Sequence, residues 1–164
     1  MTNFVGFISR RAKPDWNAAI WGGVIAGAAF MMLEMILVAT VGGESPWGPP
    51  RMIAAIVLGK AVLPPPATFD FAIVLAAMAV HFVLSIGLGV LFATIASRMT
   101  TGTAIIAGAI FGIAIYIVNF YGFTVLFPWF AMARNWMSIF SHAVFGIVLA
   151  WAYKLIEQPQ GRAA

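Results

Sequence analysis

The amino-acid sequence predicts an all-α integral membrane protein: a four-helix bundle with a short outer half-helix, re-entrant or interfacial, between spans 1 and 2. Three observations predict it. Of the 164 residues, 63% are hydrophobic and 9% charged, with a mean hydropathy of +1.00, where a soluble domain carries roughly half apolar and about a quarter charged residues. Four apolar runs are each long enough to cross about 30 Å of hydrocarbon, at roughly 20 residues per helix. A fifth run, between the first and second, is bounded by prolines and too short to span. All 164 residues then form one transmembrane domain, with the lipid bilayer as its solvent.

Composition also excludes chemistries. Cysteine is absent, which removes disulfides, thiolate zinc, iron–sulfur clusters, covalent c-type haem and cysteine nucleophiles. The nominal pI near 10.0 comes from 9 Lys+Arg against 5 Asp+Glu. These cations are scattered rather than clustered, so there is no basic stripe for nucleic acid. No Walker loop, nucleophile elbow, zinc-protease motif or glycosidase-like carboxylate pair is present.

The first span covers about residues 16–41. Arg10, Arg11 and Lys13 precede it, but the run is longer than the h-region of a secretory signal, about 7–15 residues, so it reads as a retained span. Ser45-Pro-Trp-Gly-Pro-Pro50 then leads into the half-helix at about 50–63, and Pro64-Pro65-Pro66 is expected to stop it. Its two cations, Arg51 and Lys60, lie about 180° apart at about 100° per residue. They share no polar face, which favours a half-helix packed on the outer end of the bundle over one floating in the interface. The second span covers about 69–97, with Asp70 placed to meet the positive N-terminal end of its helix. A tight turn near 99–102 leads to the third span at about 103–123. The fourth, at about 136–154, follows Arg134 and Asn135, expected to cap or anchor it, and the tail beyond reads as a solvated exit.

Arg10, Arg11, Lys13, Arg98, Lys154 and Arg162 fall on one side of these spans, and Arg51, Lys60 and Arg134 on the other. The positive-inside rule makes the first side cytoplasmic, with both termini inside. Trp16, Trp21, Trp151 and Tyr153 then sit near the inner surface and Trp47, Trp129 and Trp136 near the outer one, as an aromatic belt requires.

Small-xxx-small pairs recur at Gly23/Gly27 and Gly108/Gly112, with Ser85/Gly89 on the second span. Such pairs let backbones approach closely, within one chain or between copies, so a homo-oligomer or a subunit of a membrane complex is expected. Residues 24–30, Val-Ile-Ala-Gly-Ala-Ala-Phe, resemble 105–111, Ile-Ile-Ala-Gly-Ala-Ile-Phe. That is compatible with two hairpins repeated in parallel, or with chance recurrence of small residues.

Ionisable groups at membrane depth mark function by default, and here they are Glu34, His81 and His142. Counted from the span centres at about 1.5 Å per residue, they lie roughly 7, 3 and 4–5 Å toward the outer side. They share one layer, with Tyr116 and Asn119 in or near it. Helical spacing puts Glu34 on the face of Gly23 and Gly27, Asn119 on that of Gly108 and Gly112, His81 on that of Ser85 and Gly89, and His142 on that of Ser138 and Gly146. These faces are expected to converge inside the bundle.

Four readings stay open. His81 and His142, on diagonal helices, suit a b-type haem. Joined by Glu34 they form a two-imidazole, one-carboxylate set for a divalent metal such as Zn²⁺ or Fe²⁺, with Asn119, Tyr116, Ser85 and Ser138 around it. Glu and His in one layer also suit a proton or small-solute path. The remaining reading is a hydrogen-bonded cluster that fixes helix packing in a structural or accessory subunit. An enzyme is the less favoured class.

Ser45-Pro-Trp-Gly-Pro-Pro-Arg-Met52, Asn119-Phe-Tyr-Gly-Phe-Thr124 and the run from Phe127 to Trp136 resemble a family of small four-span bacterial membrane proteins of unassigned function. Some of its members carry a sodium:proline symporter label. The resemblance covers nearly the whole chain. It implies four spans and a bacterial inner-membrane location, and carries over no catalytic residue.

Overall fold

All four long helices begin at a polar side chain that accepts a backbone N–H of the first turn: Asp15 from Ala18, Asp70 from Ile73, Thr100 from Thr103 and Asn135 from Ser138. These caps satisfy donors that would otherwise be orphaned at the membrane border. The computed structural model describes residues 13–158, so Arg10, Arg11 and Arg162 lie outside the described residues. The helices are α1 (Trp16–Thr40), α2 (Gly48–Leu58), α3 (Phe71–Ala96), α4 (Thr101–Ile117) and α5 (Trp136–Ile156). Among the described residues there is no strand.

Among the described residues four helices are long and apolar enough to cross a membrane: α1, α3, α5, and α4 with its continuation to Val125. Large apolar side chains cover the outside, among them Val83, Ile106 and Ile110. That fits a multi-pass membrane protein whose exterior faces lipid.

The start of α1, the end of α5 and the turn between α3 and α4 share one end of the bundle, called here the terminal end; α2 and the α4–α5 connection occupy the other, the loop end. The terminal end is tied shut by polar contacts. Tyr153 Oη accepts from the Asp15 amide (3.2 Å) and donates to Glu157 (3.3 Å), while the Gln158 amide donates to Asp15 Oδ2 (3.2 Å).

Around the bundle, α3 packs on α1, α1 on α5 and α5 on α4, while α3 and α4 barely touch. Glycines set these seams. A Cβ on Gly23 would come within 2.6 Å of the Ser85 carbonyl, and one on Gly89 within 2.5 Å of that of Ala19. Across the molecule, Cβ atoms on Gly108 and Gly112 would run into the backbones of Gly146 and His142. Backbone contact of this kind replaces the hydrophobic drive that helices lack in lipid. The pairs Gly23/Gly27 and Gly108/Gly112 are occupied within the chain. The two hairpins therefore pack alike, but with Gly23/Gly27 in the place of Gly108/Gly112. The sequence match of 24–30 to 105–111 puts Gly27 opposite Gly108, one helical turn out of that register.

The buried apolar core, including Ala18, Ala26, Phe92, Ala96, Leu149 and Tyr153, fills the terminal half. There Phe92 of α3 and Phe111 of α4 meet at 5.2 Å. Toward the loop end α3 and α4 separate.

The short helix was expected at about 50–63 and is shorter. It ends at Leu58, and Gly59 follows with a positive φ of 80°, a backbone conformation that favours glycine. Lys60–Val62 form a separate 3₁₀ turn. Arg51 and Lys60 part company as the sequence implied: Lys60 is exposed, and Arg51 is 7% exposed. The Arg51 guanidinium donates to the carbonyls of Thr68 (2.9 Å) and Val62 (3.1 Å) and to Thr68 Oγ1 (3.3 Å). α2 packs on α3, and the Trp129 indole N–H ties it to the α4–α5 connection through the Met52 carbonyl at 3.0 Å.

Candidate functional site: a cleft between spans 2 and 3

Where α3 and α4 separate, they leave a cleft of about 290 Å³. His81, Leu84, Ser85 and Leu88 form the α3 wall; Ile115, Asn119, Phe120 and Phe123 form the α4 wall. Phe30, His142 and Phe145 make the floor, and Ile53 and Ile56 of α2 close the loop end. The lining is aromatic and aliphatic with four polar side chains, His81, Ser85, Asn119 and His142, which is the make-up of a small-molecule site.

The α4 wall has an irregular backbone. After Ile117 the helix widens into a π turn, Val118–Gly122, followed by a 3₁₀ turn, Phe123–Val125. π turns inside helices recur at functional sites. Here the turn carries Asn119, whose side-chain amide has no hydrogen-bond partner among the described residues. Arg134 braces the turn: its guanidinium donates to the Phe120 carbonyl (2.7 Å) and Thr124 Oγ1 (3.0 Å) and lies 4.5 Å from the Tyr121 ring centroid.

Both imidazoles are almost wholly buried, 9% exposed for His81 and 5% for His142. His81 Nε2 lies 2.9 Å from the Gly27 carbonyl, and His142 Nδ1 lies 2.7 Å from the Ser138 carbonyl. A carbonyl only accepts, so in each neutral ring that nitrogen carries the proton and the other presents a lone pair. Both rings line the cleft, so the second nitrogen of each is the one left for a ligand there.

Of the three ionisable residues of the polar layer, the structure brings two to the cleft. Phe30 stands between them, stacked on His81 at 5.6 Å and edge-on to His142 at 4.7 Å. Glu34 turns instead toward α5, where its Oε1 accepts from Ser138 Oγ at 2.8 Å; it is 7% exposed, and its Oε2 has no partner. Ser138 thus serves both residues, its carbonyl toward His142 and its hydroxyl toward Glu34. Tyr116 lies behind His142 at 5.6 Å and stacks on Phe120 at 4.9 Å. Ser85 lines the cleft with its hydroxyl donating to the Phe82 carbonyl (3.3 Å). Gly27 matters beyond packing, since a Cβ there would sit 2.5 Å from Ser85 Oγ and 3.4 Å from His81 Nε2.

Among the described residues no three His, Asp or Glu side chains gather as a metal set, so Glu34, His81 and His142 do not form the three-ligand site considered above. A haem held between the imidazoles is a poor fit as well. Phe30 occupies the space between the rings, and His81 Nε2 is engaged with the Gly27 carbonyl. Sequence reasoning missed Phe120 and the π turn; helical spacing puts Phe30 on the inward face with Glu34, but not between the two imidazoles. In comparison with known proteins, no family model, no curated protein and no solved structure matches the chain.

Proposed function

We propose that the protein is a small carrier, or the ligand-binding subunit of a membrane complex, that takes up a lipid-soluble molecule into the cleft between α3 and α4. The observation that carries this reading is the position of the cleft. It lies at the one seam of the bundle where neighbouring helices separate, beside exposed lipid-facing side chains such as Val83 and Leu84. A molecule dissolved in the bilayer reaches it sideways. The distribution of Lys and Arg supports a bacterial inner-membrane orientation with both termini cytoplasmic. Glu34 has a separate part in this reading. Its bond to Ser138 joins α1 to α5 and holds the floor of the cleft in register.

Photolabelling in lipid nanodiscs tests the proposal. A lipid-soluble phenyldiazirine is expected to label Ser85, Asn119 and their neighbours saturably, with excess unlabelled aromatic competitor displacing it. Labelling confined to lipid-facing residues such as Val83 and Ile110, rising linearly with probe, overturns it.

A further inference from the structure

The polar groups of the cleft have a chemical sense that narrows what it takes. His81 Nε2–H is occupied by the Gly27 carbonyl and His142 Nδ1–H by the Ser138 carbonyl, so each neutral ring offers the cleft an acceptor and no donor. The Ser85 hydroxyl hydrogen is directed at the Phe82 carbonyl, which leaves its oxygen as a further acceptor. Donor capacity comes only from the Asn119 amide on the opposite wall. The rest of the surface is dominated by phenylalanine rings, including Phe30, Phe120 and Phe145. These suit a flat aromatic body by offset or edge-to-face packing.

We infer that the ligand is a lipid-soluble aromatic molecule bearing hydroxyl groups, a phenol or quinol, recognised through O–H donation to the bare imidazole nitrogens of His81 and His142. The inference rests on the cleft reading above and deepens it. An oxidised quinone of the same skeleton presents carbonyl acceptors to imidazole acceptors, and a dialkyl ether presents oxygens without hydrogens. Both leave the imidazole lone pairs unmatched in an apolar site, where an unmade hydrogen bond is penalised more than in water. No redox step is implied. Selection between the two oxidation states follows from hydrogen-bond polarity alone.

The test compares a decyl-substituted hydroquinone kept reduced with ascorbate, the corresponding quinone, and the hydroquinone dimethyl ether. Each is titrated against the full-length protein in nanodiscs as a competitor of phenyldiazirine labelling. The expected result is hydroquinone binding about tenfold or more tighter than either analogue, from one to two well-made hydrogen bonds. His142→Phe and His81→Phe are expected to bring the ratio toward one while the dimethyl ether still binds, a change in preference that loss of fold does not produce. Equal binding of all three by the wild type overturns the donor preference and leaves the cleft reading standing. Tighter binding of the quinone overturns the assignment outright. If none competes while labelling is saturable, the aromatic-alcohol class is wrong; if labelling is not saturable, the cleft reading itself fails.

Discussion

Gly112 lies where α4 meets the backbone of α5 at His142, the residue that forms part of the cleft floor. Gly112→Ala is expected to push the helices apart and cost about 1–3 kcal/mol, read as a fall in the unfolding midpoint in mild detergent, and to weaken cleft labelling through displacement of His142. Gly87 is the internal control: a Cβ there meets nothing within 4 Å, so Gly87→Ala is expected to leave both measurements unchanged or slightly improved. Asp15 gives a pH-dependent counterpart. Its carboxyl is held below its ordinary value near 3.8, chiefly by the Ala18 amide it accepts from. The folded state therefore binds this proton less readily than the unfolded one, so its contribution is present above pH 4 and is lost as pH falls through the lower folded value. Thermal unfolding followed below pH 4 is expected to show a loss that Asp15→Asn, which still caps but does not titrate, lacks. At this scale the inward facing of His81, His142 and Asn119 was legible, because helical period fixes it. Which ring nitrogen carries the proton was not, since it depends on carbonyls of another helix or of the preceding turn. The divergence of Glu34 toward Ser138 was likewise invisible, because α1 faces both α3 and α5 and period alone does not choose between them.

α2 shows how far an element can be read from its punctuation. Pro49 and Pro50 mark its first turn as expected, whereas its end is set by Gly59 rather than by the triple proline beyond. The segment after it is held by one buried guanidinium. In Arg51→Met the carbonyls of Val62 and Thr68 lose their donor, and residues 59–68 are expected to open more often. Bonds to a charged donor of this kind contribute enough for cleavage by trypsin at exposed Lys60 to rise about tenfold or more, measured as the rate of that single cut. An unchanged rate would show that α2 and its loop are held by packing on α3 alone. The π turn in α4 is the element that sequence period hides most completely, because one extra residue in a turn leaves composition untouched. Its brace, Arg134, was legible only as an anchor near the fourth span.

At the scale of the molecule, the four spans and their alternation were readable because lipid imposes length and hydropathy on each crossing. The opening was not read, although a cause is in the sequence: Ser85 and Gly89 on α3 are taken by α1, and Gly108 and Gly112 on α4 by α5, so neither of these pairs is left for the α3–α4 seam. The Trp129–Met52 tie has a consequence for how affinity must be expressed. On the proposed reading, with α2 and the α4–α5 connection joined across the loop end and the core filling the terminal half, ligand would exchange with the bilayer and not with the aqueous phase. Occupancy then follows the mole fraction of ligand in lipid. At fixed total ligand and low saturation, doubling the lipid per protein is expected to halve the bound fraction, while diluting the same vesicles with buffer leaves it unchanged. An apparent Kd quoted in molar units would describe the partition of the ligand as much as the protein, and constants measured at different lipid ratios would agree only after conversion to membrane concentration.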